Sequence, residues 1–467
     1  MSKINPLVKP ASKFDGEKLA GGSGAYAAKQ SNYDLLRRCI LANLLWEDNA
    51  YVNGQSVSKE IARLIPLCTP KDVAQLAIEA RLLQKLRHTP LFIVSEMCKY
   101  KEHNAFVAEA LPQIITRADM LTDMLAIYWK EGRKRKLTTQ LKRGLAASFN
   151  NFNEYQFAKY DRNASIKLRD VMFLTHPKPT QGKEELFKKI ADRTLDTPDT
   201  WEVALSTGKD KKETWTRLIE EKKIGGLAML RNIRNMMLAN VDRHTINKGL
   251  ATLKSSMLLP LDFLKSARIN SEFSRNIEDA MIESYKNLPK LPGRTLFIVD
   301  VSGSMGSLTS GESNFSRLDQ ACSMAMLAIN QCENYELVIT AGNDGSRVGK
   351  HEHIKYPQKG FDVFKQITQN RLGGGGIFTR QCLKWCKSSI PGEFDRIIIF
   401  SDSQDCDYAD KRIPKPYGKY NYICDVSSHT RGINYRGVWT AEISGWSEHF
   451  LTFIAAYEGL ENKFQTE

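Results

Sequence analysis

Asp300, Ser302 and Ser304 stand at alternate positions directly after the apolar, β-branched-rich run Thr295–Val299. A buried parallel strand ends in this way, with polar side chains on the loop that leaves its carboxyl end. A carboxylate and two hydroxyls on a tight loop are hard oxygen donors, suited to Mg²⁺ or Mn²⁺, which keep several waters and take few protein ligands. A serine-rich turn without a ligand has the same letters. A second apolar run, Arg396–Phe400, leads into Ser401, Asp402, Ser403, Gln404 and Asp405 and so repeats the arrangement. Between the two, Gly373–Gly376 give a flexible loop, and Thr379 adds a hydroxyl just ahead of an expected helix. Asp300, Ser302, Ser304, Thr379 and Asp402 form a candidate metal site with a coordination position open to an acidic ligand.

Catalysis is less well supported by the same residues. Phosphoryl chemistry on an aspartyl nucleophile needs a second acid two residues on, and Ser302 stands there instead. His88 and His244 lack partners at metal-binding spacing, and His351-Glu352-His353 lies in a polar stretch that reads as an exposed loop. The nine cysteines show no paired short spacings and read as free thiols. Cys382 and Cys386 share a helix face, where core packing outweighs a metal role.

Before this region lies a different chemistry. Lys130–Lys136 together with Lys142 and Arg143 carry seven bases against one acid. A second basic stretch runs from Lys159 to Arg162 and from Lys167 to Arg169, and leads to Thr175-His176-Pro177-Lys178. Such bases neutralise phosphates, while Tyr155, Phe157 and Tyr160 offer faces on which unpaired bases stack. The competing reading is a solvated helix face with its aromatics turned inward. His176 ends a helix, where a histidine serves as a cap as readily as a ligand contact.

The elements that must position these groups divide the chain. Residues 1–30 mix Lys, Pro, Gly and Ser, offer little to bury, and read as an N-terminal arm. From 31 to 288 the pattern is successive helices: Ser31 caps one that carries Leu35, Leu36, Cys39, Ile40 and Leu44, and Thr69-Pro70 starts another, a start repeated at Thr89-Pro90 and Thr197-Pro198. This is an array of irregular stacked helical repeats. At Leu288–Gly293 the composition changes, and from 289 to 467 short apolar strands alternate with helices, which predicts a parallel sheet wound with helices. With 67 Lys and Arg against 53 Asp and Glu, the formal charge is +14, which favours polyanionic partners. No run reaches the roughly 18 apolar residues of a membrane span, and the first residues lack a secretory signal's apolar core, so the expected place is the cytoplasm, away from membranes.

Asp300-Val301-Ser302-Gly303-Ser304 with Phe400-Ser401-Asp402 resembles the metal-ion-dependent adhesion site of von Willebrand factor A domains. Leu141–Leu145, Asn153-Glu154, Ala158–Tyr160, Leu168–Asp170, Leu174–Pro179 and Ala228–Ile233 resemble the TROVE module. TROVE followed by von Willebrand factor A is the order of the Ro autoantigen family. The resemblance implies an α plus α/β protein, a ring of HEAT-like helical repeats closed by a doubly wound von Willebrand factor A domain. It further implies a monomeric RNA-binding ribonucleoprotein component that is not an enzyme. Such a protein holds single-stranded ends of noncoding or misfolded RNA in a basic central hole and small Y RNA on its outer surface, in RNA quality control. By motif match Lys159, Arg169 and His176 take the family's basic positions near the Y RNA surface, and Lys142 and Arg143 follow from the surrounding helix. The resemblance leaves room for an RNA-processing nuclease as a partner, to which no residue points. Two departures stand out: Ile377 occupies the place where the adhesion site usually has its Thr, with Thr379 two further on, and Phe173 stands where relatives often carry a base. The rival reading is a metal-dependent scaffold that grips a partner protein's carboxylate.

Overall fold

The structure is a computed structural model that describes residues 14–18, 26–28, 31–41, 54–130, 135–161, 165–206, 210–255, 258–309, 314–355, 360–369, 372–407, 413–427 and 437–460. Arg133, Lys134 and Arg162 of the basic stretches and Leu44 of the first helix lie outside these residues. The chain forms two compact units, one made of Met1–Val57 with Gly225–Glu467, the other of Ser58–Ile224. Among the described residues no helix is long and apolar enough to cross a membrane.

The unit Ser58–Ile224 is built of helices in its described residues. Pro70–Leu82 packs on His88–Met97 and Val107–Ile114, His88–Met97 on Asp119–Tyr128, and Val107–Ile114 on Thr139–Phe149, which in turn packs on Leu168–Thr175. The last pairing but one is close because Gly144 has no side chain: a Cβ there would meet Leu111 Cδ1 at 2.8 Å. Local chemistry sets the helix starts. The Thr138 hydroxyl accepts from the Leu141 amide at 3.2 Å, and Asn153 and Gln156 exchange two 2.9 Å bonds in a capping box, each cap worth about 1 kcal/mol. Pro70 opens its helix as its spacing predicts. The other two Thr-Pro pairs differ from expectation. The second helix already begins at His88, so Pro90 falls in its first turn. The third begins at Trp201, where the Thr200 hydroxyl accepts from the Val203 amide at 3.3 Å.

In the other unit the arm contains a strand pair, β1 Phe14–Lys18 antiparallel to β2 Tyr26–Ala28. The helix Asn32–Leu41 is capped by Ser31, whose hydroxyl accepts from the Asp34 amide at 3.1 Å, and buries Leu36, Cys39 and Ile40. Six strands follow: β3 Leu291–Asp300, β4 Cys332–Asn343, β5 Val348–Ile354, β6 Arg396–Ser401, β7 Tyr420–Asp425 and β8 Ala441–Ser444, in the order β5-β4-β3-β6-β7-β8. Both faces of the sheet are covered, so its central strands read as unbroken apolar runs. On one face Leu296, Ile298, Ile397 and Ile399 pack with Cys382, Leu383 and Cys386 of the helix Thr379–Ser389. On the other, Phe297, Phe400 and Phe450 stack edge and face, the last from the helix His449–Tyr457. The cysteine pair is therefore core, its sulfurs 3.9 Å apart, and none of the nine cysteines, all of them among the described residues, is in a disulfide.

Two expectations are corrected here. The sheet is mixed, because β5 runs antiparallel to β4. Accordingly His351-Glu352-His353 is not an exposed loop but part of that half-buried edge strand: His351 Nδ1 lies 2.8 Å from the Thr340 hydroxyl, and His353 Nε2 2.8 Å from Glu336 Oε2. Burial pushes the His351 imidazole down to about 4. The change of composition at 288–293 coincides with the start of β3, while the compact unit that holds the sheet begins earlier, at Gly225. The helix Pro260–Ile269 joins it by packing on Arg317–Gln331, with Arg268 Nη2 2.6 Å from Asp319 Oδ1.

Candidate functional site

Because β3 and β6 are adjacent and parallel, with Val299 paired to Phe400, Asp300 and Asp402 emerge at the same end of the sheet. Both carboxylates are fully buried. Asp300 Oδ1 accepts from the Ser302 amide at 2.8 Å, and its Oδ2 from the Ser401 hydroxyl at 2.7 Å. The Ser302 and Ser304 hydroxyls lie 3.2 Å apart. Their loop is pressed against the glycine run: the Gly303 amide donates to the Gly375 carbonyl at 3.1 Å, and a Cβ on Gly303 would stand 2.2 Å from the Gly374 carbonyl oxygen. Thr379 is buried and tied to Asp405, whose Oδ1 accepts from its amide at 3.2 Å. The structure thus brings Asp300, Ser302, Ser304 and Asp402 to one loop cluster and attaches Thr379 to a further carboxylate.

Three participants escape a reading of motifs alone. Ser401 and Asp405 flank Asp402 on the same strand end, a run of oxygen side chains that was visible in the sequence. Arg317 had no such signal, yet its guanidinium is buried and donates from Nη1 to Asp402 Oδ2 at 3.1 Å. With one carboxylate so engaged, burial and the neighbouring charge of Asp402 push Asp300 up to about 7, against the hydrogen bonds from Ser302 and Ser401. Burial and Asp407 do the same for Asp405. Asp405 Oδ2 and the Ser403 hydroxyl are buried with no hydrogen-bond partner among the described residues.

A divalent cation fits this donor set. The oxygens are hard, Asp300 makes no salt bridge among the described residues, and the partnerless Asp405 Oδ2 on the adjoining loop points to a missing donor or ion. Among the described residues no group of three or more His, Cys, Asp and Glu is placed to hold a metal, so the fit depends on the hydroxyls. A testable consequence concerns pH. Folded Asp300 and Asp405 hold protons more tightly than in the unfolded chain, so in chelator their contribution to stability is full below about pH 4 and lost as pH rises through about 7. An ion that replaces the Asp300 proton removes that loss. The stabilisation on adding Mg²⁺, followed as a rise in melting temperature, should therefore grow from pH 6 to pH 8, and is worth about 2.7 kcal/mol at roughly 100 times Kd. In a Ser302→Ala, Ser304→Ala double variant scanned the same way, it should vanish.

The basic face lies wholly within Ser58–Ile224. Phe157 is buried and packs against Phe149 and Phe152 at 5.8 and 5.6 Å, so it is core and not a stacking face. Tyr155 and Tyr160 remain accessible. The Arg117 guanidinium is 4.9 Å and the Lys159 ammonium 5.7 Å from the Tyr160 ring centroid. On Thr139–Phe149, Lys142 is half-buried and Arg143 exposed, and the helix packs against Leu168–Thr175, which carries Arg169. His176 is exposed, ends that helix in the left-handed region at φ 49°, and donates its amide to the Met172 carbonyl at 2.8 Å. It is therefore the C-cap residue, with its imidazole free to face solvent. Asn150 fastens the segment beyond it, donating to the Lys178 carbonyl at 3.0 Å and accepting from the Thr180 amide at 3.0 Å.

A small cavity of about 130 Å³ beside Tyr160 is lined by Arg87, Asp119, Asp123 and Lys167. Arg87 is bonded to both aspartates at 2.6 and 2.7 Å, so these charges neutralise one another inside the protein.

Residues 191–325 match the family model of the TROVE domain. Among solved structures, the crystal structure of the Deinococcus radiodurans RO (RSR) protein is similar, with a TM-score of 0.54 at 15% identity, covering 92% of this chain and 100% of that one. The comparison with curated proteins found no match.

Proposed function

We propose that the chain, of which residues 191–325 match the TROVE family model and whose fold is similar to that of the Deinococcus radiodurans RO protein, is an RNA-binding component of a ribonucleoprotein, as its resemblance to the Ro autoantigen family implies. The observation that carries the reading furthest is the face on which Arg169, Phe173 and His176 are accessible together and Arg143 projects from the helix packed beside them. Their charges are not consumed by the protein: Lys142, Arg143, Lys159 and Arg169 make no salt bridge among the described residues. Phosphates complement such a face, and releasing their counterions drives association. Single-stranded RNA is favoured over duplex because Tyr155 and Tyr160 offer rings that only unstacked bases can reach. The finer picture rests on the resemblance: single-stranded ends of noncoding or misfolded RNA in a central hole, Y-like RNA on the outer surface, and a role in RNA quality control in the cytoplasm. A processing nuclease would be a partner on the same ground.

The metal centre serves this reading as a binding element. When bound, a Mg²⁺ or Mn²⁺ ion would supply a Lewis-acidic position for an acidic ligand. Asp300, Ser302, Ser304 and Asp402 would hold it, with Thr379 joining through its hydroxyl. Ser302 fills the position where phosphoryl transfer on an aspartyl nucleophile needs an acid, which favours binding over catalysis. The same centre supports the second reading, a scaffold that grips a partner's carboxylate. Fluorescence anisotropy with labelled single-stranded and hairpin RNA tests the choice. Saturable binding at low salt, preferring RNA with an unpaired end, supports the RNA reading; no binding at low salt overturns it.

A further inference from the structure

Arg169 and Phe173 stand four apart on the helix Leu168–Thr175 and so share one face, and exposed His176 follows as the helix's C-cap. The opposite side is complete without them, since Leu168, Val171, Met172 and Thr175 are the residues the helix buries. Phe173 is left 50% exposed, in a residue type that is usually buried. Its ring is not idle. The Arg169 guanidinium lies 5.1 Å from the ring centroid, which orders cation and ring together. His176, fixed as the left-handed cap, follows one turn later, and exposed Lys178 is anchored through its carbonyl to Asn150. The one acid of this helix, Asp170, is exposed three residues before Phe173, and its carboxylate is engaged as a helix cap, accepting from the Lys167 amide at 2.8 Å.

A flat apolar ring in a cationic frame complements a ligand that is itself flat and strung on negative charges. An acidic peptide would use the charges and leave the ring bare. We propose that Phe173 is the stacking platform for one unpaired base of a bound single-stranded RNA, with Arg169 and His176 taking the flanking phosphates. This rests on the RNA reading above and adds to it a recognition element that carries no charge.

The test uses the full chain, a labelled single-stranded RNA of about ten nucleotides and the duplex of the same sequence, over a series of salt concentrations. Phe173→Ala should weaken single-strand binding about tenfold, in line with the loss of one stacked base, and leave duplex binding unchanged. The slope of log affinity against log salt should not move, because a phenyl ring displaces no counterion. Phe173→Trp should restore the affinity. Arg169→Ala should instead lower the slope by about 0.7. Wild-type affinity in Phe173→Ala overturns the platform while the RNA reading stands, and so does a loss shared equally by single strand and duplex, as a protein-docking or merely structural ring would give. If the unaltered chain binds neither RNA, the reading beneath the proposal fails as well. Because the ring is outside the core, each variant should melt cooperatively and close to the parent, lowered only by the lost contact between ring and guanidinium, which confirms folding.

Discussion

Replacing Lys159 and Arg169 together by glutamate is expected to weaken single-stranded RNA binding by about two orders of magnitude at low salt. Each reversal removes an attraction and adds a repulsion, and a charge pair at contact in water is worth about 1 kcal/mol. Four such changes sum to roughly 4 kcal/mol at most, which salt reduces. The fold should tolerate the change. Neither side chain makes a salt bridge among the described residues, and the only partner each has in aromatic contact is its own neighbour, Tyr160 or Phe173. Losing those contacts costs about 0.5–1 kcal/mol apiece at an accessible site. Anisotropy at 50 mM salt checks the affinity, and a thermal melt checks the fold. An affinity within twofold of the parent would remove these helices from the interface.

The largest stability effect is expected at the opposite end of the strands from the loops of Asp300 and Asp402. Arg396 opens β6 with a buried guanidinium that meets Glu458 at 2.6 Å, each side chain 2% exposed. The Pro292 carbonyl and Thr295 hydroxyl accept from its Nη1 at 2.7 and 3.0 Å, and the Tyr422 hydroxyl donates to Glu458 Oε1 at 3.0 Å. Glu458→Ala leaves a buried guanidinium without its counter-charge, which costs about 3–5 kcal/mol. Replacing both partners, as Arg396→Met with Glu458→Leu, should recover most of that loss, because the desolvation of both charges disappears together. Urea unfolding followed by tryptophan fluorescence compares the three proteins. Equal stability of Glu458→Ala and the parent would show that the pair is not buried in solution.

These positions also show what a chain reveals before it folds. β3 and β6 were legible because each is an apolar run covered on both faces and closed by a carboxylate, so Asp300 and Asp402 stand out. β5 was not: as an edge strand it carries His351 and His353, whose partners Thr340 and Glu336 sit on β4, and cross-strand polar pairs leave no periodicity of their own. Arg317 was invisible for a related reason. It reaches Asp402 only after a helix from one part of the chain is laid beside a strand 85 residues further on. Among the aromatics near Lys159, charge pattern could not tell Phe157 from Tyr155. Packing did, since Phe157 meets Phe149 and Phe152 while Tyr155 stays 42% exposed. At Phe173 an unexpected letter in a basic setting stands half exposed at the surface.

If the basic helices hold RNA by its phosphates, that contact does not need the centre at Asp300. This is tested by titrating the full chain with single-stranded RNA at 50 and 200 mM salt, each with and without chelator. The affinity should fall about tenfold or more between the two salts, as several phosphate contacts require, and be the same with chelator as without. Binding abolished by chelator and nearly indifferent to salt would contradict it and assign the function to the metal centre instead.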